Sequence, residues 1–125
     1  GIELSEIEVL KEIQDASALG RGYAIAGGVA EAVKDTALKI DPSREINVEG
    51  ASTLHECMKL MRLAKAGKKN GYLLEGMACS GGCIGGPGTI ASINRVRKAV
   101  TDFKNQSEYK TPFENEIIEV KLRDK

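Results

Sequence analysis

The chain has no tryptophan, one histidine, two phenylalanines and three tyrosines among its 125 residues. With so few aromatics, any core must rest on Ile, Leu, Val, Met and Ala. Net charge is missing as well, because eighteen basic residues balance eighteen acidic ones. A surface without clustered Lys and Arg offers no electrostatic footprint for nucleic acid or for an anionic membrane, and neither is expected as a partner. No apolar run is long enough to span a bilayer, and the acidic start Gly1-Ile2-Glu3-Leu4-Ser5-Glu6 lacks the basic and apolar regions of a signal peptide. The three cysteines, Cys57, Cys79 and Cys83, are an odd number and too few to staple a fold. A reducing, cytoplasmic setting is expected on that ground. Internal repeats and low-complexity segments are absent too.

What is present is an ordinary globular balance, 42% apolar and 29% charged, which suits one domain over residues 1–125 with a modest core. Ser5-Glu6-Ile7-Glu8 fits a capping box, and Ile7, Leu10 and Ile13 share one side of a first helix expected to stop before Gly20. Residues 20–28 mix glycine with small apolar side chains, as a tight, partly buried strand or loop would. Val29, Val33, Thr36, Ala37 and Ile40 recur at helical spacing until Asp41-Pro42, where proline restricts the residue before it.

Ile46 and Val48 alternate with polar residues as in a half-exposed strand that Gly50 should break, after which Ser52 or Thr53 can cap a third helix. Its apolar stripe reads Leu54, Cys57, Met58, Met61 and Ala64, and Gly67 is a natural stop. Tyr72-Leu73-Leu74 reads as a short buried strand leading into Glu75-Gly76-Met77-Ala78-Cys79. A fourth helix should run from Thr89 or Ser92 through Ile93, Val96, Val100 and Phe103. In the tail, Thr111-Pro112 favours a helix start whereas Ile118, Val120 and Leu122 alternate as in a strand. Helix alternating with strand predicts an α/β fold, a small sheet with helices packed on it.

Chemistry concentrates in Met77-Ala78-Cys79-Ser80-Gly81-Gly82-Cys83-Ile84-Gly85-Gly86-Pro87-Gly88-Thr89. Thiolates four residues apart can converge on an iron–sulfur core, and glycine lets backbone approach that core without a clashing Cβ. Exposed N–H groups of a glycine-rich loop could also donate to its sulfurs. The other reading is a flexible glycine loop with incidental thiols. Two cysteines alone cannot complete a cubane, which normally takes four.

Met77 to Gly86 resembles the third cysteine signature of the iron-only (FeFe) hydrogenases, usually Met-Ala-Cys-Pro-Gly-Gly-Cys followed by Ile or Val and a glycine run. Tyr23-Ala24-Ile25-Ala26-Gly27-Gly28-Val29-Ala30-Glu31-Ala32 is similar to the family's Gly-Val-Thr-Gly-Gly-Val-Met-Glu-Ala segment. The resemblance covers roughly residues 15–95 and implies the C-terminal lobe of such a catalytic domain. It implies Cys79 as a terminal ligand of a 4Fe-4S cubane and Cys83 as the bridge from that cubane to a diiron subcluster. It further implies Met77 lining the diiron pocket, with Gly81, Gly82, Gly85 and Gly86 as the backbone around the cofactor. Ser80 stands where the family has proline, Pro87 interrupts the glycine run and Ala26 replaces a threonine. These departures bring the chain nearer the divergent or sensory groups.

The family's first two cysteine signatures, of the Thr-Ser-Cys-Cys-Pro and Met-Pro-Cys-x-x-Lys types, are not in this sequence. The chain is therefore expected to be one piece of a larger or split domain, unable to hold the whole cluster alone. Its expected partners are the missing N-terminal half and a redox protein such as ferredoxin, with self-association through exposed apolar surface. Reversible proton reduction and hydrogen oxidation in the intact parent is the leading function. Hydrogen or redox sensing with electron transfer is the second, and a metal-free interaction or anion-binding module is the third.

Other residues read more plainly. Met77 fits core packing as well as a pocket wall, and Cys57 fits a buried thiol. His55 should be solvated, as should Lys65, Lys68 and Lys69 at a helix end. Gly27-Gly28 suits a close-packed loop better than a phosphate site, since no Walker lysine or GxGxxG accompanies it.

Overall fold

The computed structural model describes residue 3 and residues 16–114. The helix expected from Ser5 and the alternating stretch at Ile118, Val120 and Leu122 lie outside these residues. Helix α1 (Ala18–Arg21) is a single turn begun by Ser17, whose hydroxyl accepts from the Gly20 N–H at 3.2 Å. That bond satisfies one of the donors a helix start leaves free. Because Ser17 holds it, Gly20 sits inside this turn, which is separate from the helix expected from Ser5. Residues 22–27 then follow as tight turns, with one isolated antiparallel bridge from Ile25 to Gly82.

Helix α2 (Gly28–Ile40) starts and stops where the sequence places it, but its buried face differs from the expected row. Val33 and Ile40 are exposed, whereas Gly28, Ala30 and Ala32 are buried. Small residues let the helix head lie against the preceding turn: a Cβ on Gly28 would sit 2.1 Å from the Gly22 carbonyl oxygen.

β1 (Asn47–Ala51), α3 (Leu54–Lys65) and β2 (Tyr72–Gly76) make a β-α-β unit. The strands pair in parallel from Asn47 with Tyr72 to Ala51 with Gly76, the arrangement a helical crossover permits. Gly50 does not break β1, because ladder pairing with Glu75 carries the strand through it. Thr53 caps α3: its hydroxyl oxygen accepts from the Glu56 N–H at 3.1 Å, and the Glu56 carboxylate accepts from the Ser52 N–H at 2.9 Å. This reciprocal pair is of the capping-box kind.

The apolar stripe expected on α3 is also corrected. Leu54 is 67% exposed and Met61 66%, with Met58 exposed beside them, while Leu60 is buried and Cys57 and Ala64 half-buried. The helix is turned so that Cys57, Leu60 and Ala64, at helical spacing, face inward, with the Cys57 Sγ 3.2 Å from where a Gly76 Cβ would be. Burying a leucine such as Leu60 contributes about 2 kcal/mol. Nor is β2 fully buried: Leu73 and Leu74 are half-covered and Tyr72 is exposed.

Helix α4 (Ile93–Asn105) begins after Ser92. Lys104 pairs with Glu31 of α2 at 2.7 Å, and the Arg21 guanidinium lies 4.3 Å from the Phe103 ring centre while donating to the Phe103 carbonyl at 3.0 Å. The chain then returns to α1, where Ala18 and Leu19 N–H groups donate to the Tyr109 and Lys110 carbonyls at 2.7 and 3.2 Å. Thr111-Pro112 opens a 3-10 turn (Pro112–Glu114), as its helix-start chemistry suggests. The expected α/β fold, a small sheet with helices packed on it, is thus observed. Among the described residues no helix is long and apolar enough to cross a membrane.

Candidate functional site

β2 hands the chain to Met77, whose N–H donates to the Ala51 carbonyl at 2.8 Å and extends the strand pairing by one step. Met77 is half-buried at the entry to the cysteine loop. Cys79 is half-buried and Cys83 exposed, so the two thiols differ in access to solvent. Between them Gly81 and Gly82 take φ of +80° and +100°, a region L side chains rarely adopt. At Gly82 there is no room either: a Cβ would lie 2.5 Å from the Ala26 nitrogen and 2.6 Å from the Ala24 carbonyl oxygen.

That crowding arises because two glycine-rich segments are bonded backbone to backbone. The Ala26 N–H donates to the Gly81 carbonyl at 3.0 Å, and the Ile84 N–H donates to the Ala24 carbonyl at 3.3 Å. Cys83–Gly85 form a single 3-10 turn whose centre, Ile84, is 4% exposed and anchors the loop. Gly85 passes so close to Ser80 that a Cβ would meet the Ser80 carbonyl oxygen at 2.2 Å. Gly86 lies beside Cys79: a Cβ there would sit 3.2 Å from the Cys83 carbonyl oxygen and 3.7 Å from the Cys79 Sγ. The Ile93 and Arg97 side chains of α4 flank Gly81.

The structure thus brings Cys79, Cys83, Gly81, Gly82, Gly85 and Gly86 together in one loop, with Met77 at its mouth. One expectation is corrected. The N–H groups of Gly82, Ile84, Gly85, Gly86 and Thr89 are bonded to backbone carbonyls of the protein, so these donors do not point freely toward a ligand. Their role is to close the loop.

Cys57 is half-buried, its Sγ 3.5 Å from the Met77 carbonyl oxygen and 3.8 Å from that of Ala51, a packed thiol beneath the end of the sheet. His55 is exposed. Lys69 is not the solvated residue expected: it pairs with Glu49, and its ammonium lies 4.8 Å from the Tyr72 ring centre. The Glu49 hydrogen bond pushes the Lys69 pKa above its ordinary value.

The residue that sequence reasoning missed is Glu75. The residue is 9% exposed, and its carboxylate accepts from the N–H groups of Gly27, Val29 and Ala30, the last two at 3.1 and 3.0 Å. A helix start has unsatisfied donors and a partial positive charge, and a carboxylate satisfies both. The available signal was an acidic residue in an apolar strand together with a helix head, Gly27-Gly28, that has no capping side chain. The same contact disposes of the phosphate reading of Gly27-Gly28, because Glu75 already fills that position. Glu75, Glu56, Gly27 and Ser52 line a cavity of about 210 Å³ between the heads of α2 and α3.

Among the described residues no three His, Cys, Asp or Glu side chains gather as a metal-binding group. Cys79 and Cys83 share a loop held by close backbone contact. A comparison with curated proteins returns no match. The family described as the C-terminal domain of the iron only hydrogenase large subunit matches residues 1–87, a span that includes the 24–28 turn, Glu75 and both loop cysteines. With more than half of its length matched, the chain belongs to this family, the C-terminal domains of the large subunits of iron-only hydrogenases.

Proposed function

We propose that the loop from Met77 to Gly86 supplies two thiolate ligands to an iron–sulfur active centre of hydrogenase type. The observation that carries this reading is the loop itself: Cys79 and Cys83 stand on a closed backbone frame, one half-buried and one exposed, with Gly86 bringing backbone without a side chain beside the Cys79 sulfur. The residues present fit part of such a centre. Cys79, the more sheltered thiol, is proposed as the terminal ligand of a 4Fe-4S cubane, and Cys83 as the bridge to a diiron subcluster.

When bound, the group supplies electron transfer and the interconversion of protons and hydrogen. The chain's own contribution is to hold two sulfurs at a fixed spacing, to pack Met77 at the pocket mouth and to keep backbone rather than bulky side chains at the loop surface. Two thiolates are half of the four that a cubane normally takes. The remaining ligands are proposed to come from polypeptide beyond these 125 residues. The outward Leu54, Met58 and Met61 of α3 support packing against such a partner.

A sensing or electron-transfer role for the same centre is the second reading, favoured by Ser80 and Pro87 where the family usually has proline and glycine. The metal-free anion-binding reading loses support from the internal use of the loop N–H groups and from Glu75 at the head of α2.

Anaerobic loading with ferrous iron and sulfide, with the chain alone and mixed with a polypeptide carrying the other cysteine signatures, tests the proposal. A paramagnetic cluster signal in the mixture, accompanied by protection of Cys79 and Cys83 from alkylation, is the expected result. Free alkylation of both thiols with no cluster signal would sink it.

A further inference from the structure

We infer that Glu75 is the positioning residue of the cysteine loop: its carboxylate and the Gly81–Ile84 backbone grip the same turn, so the arc carrying Met77 and Cys79 is pinned at both ends to one frame. At the first end, Glu75 accepts from the N–H groups of Gly27, Val29 and Ala30. At the second, Gly81 accepts from Ala26, and Ile84 donates to Ala24. Both grips close on residues 24–30, a segment whose shape is fixed by the tight approach of Gly28 to Gly22 and of Gly82 to Ala24 and Ala26. The only chain left between the grips is 76–80, and Met77 within it is also tied to Ala51.

Glu75 does this with both carboxylate oxygens. One accepts from Val29 and Ala30, and the other from Gly27. Glutamine has the same shape but a single acceptor oxygen, and its amide nitrogen would turn an N–H toward the N–H of Gly27. Glu75→Gln therefore weakens the first grip, taking away its charge and its bond to Gly27, without changing volume. Any consequence for a cluster rests on the function proposed above, but the pinning does not, and it is read without metal.

The experiment uses the full metal-free chain, wild type and Glu75→Gln, with amide hydrogen exchange resolved by residue and alkylation resolved by thiol. Exchange at Gly27, Val29 and Ala30 should quicken directly. The inference requires more: exchange at Ala26 and Ile84 should rise about tenfold, and Cys79 should alkylate several-fold faster, while the α4 amides keep wild-type rates. The α4 amides are the internal standard, since general loosening would quicken them as well. Acceleration confined to Gly27, Val29 and Ala30 would make Glu75 a helix cap only and overturn the inference. So would a rise at Cys79 matched by an equal rise across the α4 amides. Should Glu75→Gln not fold, Glu75→Asp keeps the charge and withdraws it by one methylene, and the same readouts decide. A failed cluster loading with this pattern of exchange intact would count against the proposed function alone.

Discussion

The heads of α2 and α3 face one cavity yet are secured in opposite ways. At α3 the partners are neighbours in the chain: Thr53 accepts from Glu56, and Glu56 reaches back to Ser52. At α2 the cap position is Gly27, which has no side chain, and the acceptor comes from Glu75 on a strand 45 to 48 residues later. A local cap stabilises its own helix. A distant one also fixes where the helix sits, so the head of α2 and the end of β2 are placed by a single interaction.

The sharpest way to break this comparison is to crowd the α2 head. Gly28→Ala sets a Cβ 2.1 Å from a backbone oxygen, and we expect a loss of about 4 kcal/mol or failure to fold, read by urea denaturation. Next comes Glu75→Ala, which strips the acceptor from three N–H groups and should cost about 3 kcal/mol in the same assay. Thr53→Ala removes only a local cap, at about 1 kcal/mol. An equal loss from the last two variants would erase the distinction between the two helix heads.

The smallest effect is expected at a third, also local, turn. Glu114 accepts from the Lys110 N–H at 2.7 Å and from the Thr111 hydroxyl at 3.2 Å, and Lys39 lies 3.8 Å away. The Lys110 hydrogen bond first, then Thr111 and Lys39, hold its carboxyl below the usual carboxylate range. The contribution is present in full above that range and is lost as pH falls through the lowered folded value. The Lys110 amide resonance should move at that lower pH, while the Gly67 amide, which bonds to the Ala64 carbonyl and has no carboxylate partner, should not.

This contrast also explains what could be read in the sequence. Thr53 before Leu54, Asp41-Pro42 after Ile40 and Pro112 after Thr111 signal through residues close in the chain, and the structure puts element boundaries there. The motif from Met77 to Gly86 is equally local, and it forms one loop. Glu75 could not be paired with Gly27 from spacing, because only the parallel register of β1 and β2 and the return of α2 bring them together. Sequence periodicity misassigns the inward faces of α2 and α3 for a related reason. It gives an amphipathic face, but the neighbour decides which side turns in, and here close contact with Gly22 and Gly76 selects Ala30, Cys57 and Leu60 over Val33, Met58 and Met61.

The backbone seam between residues 24–26 and 81–84 has a consequence for how this family is recognised. Gly28, Gly82 and Gly85 are required by steric exclusion, whatever the sulfurs bind. Much of the visible signature therefore records a shape rather than a reaction. A descendant that had lost both thiols would still need those glycines and would still be read as kin. Kinship and cofactor are separate inheritances in such a fold, and under the function proposed above it is Cys79 and Cys83 that report on the second.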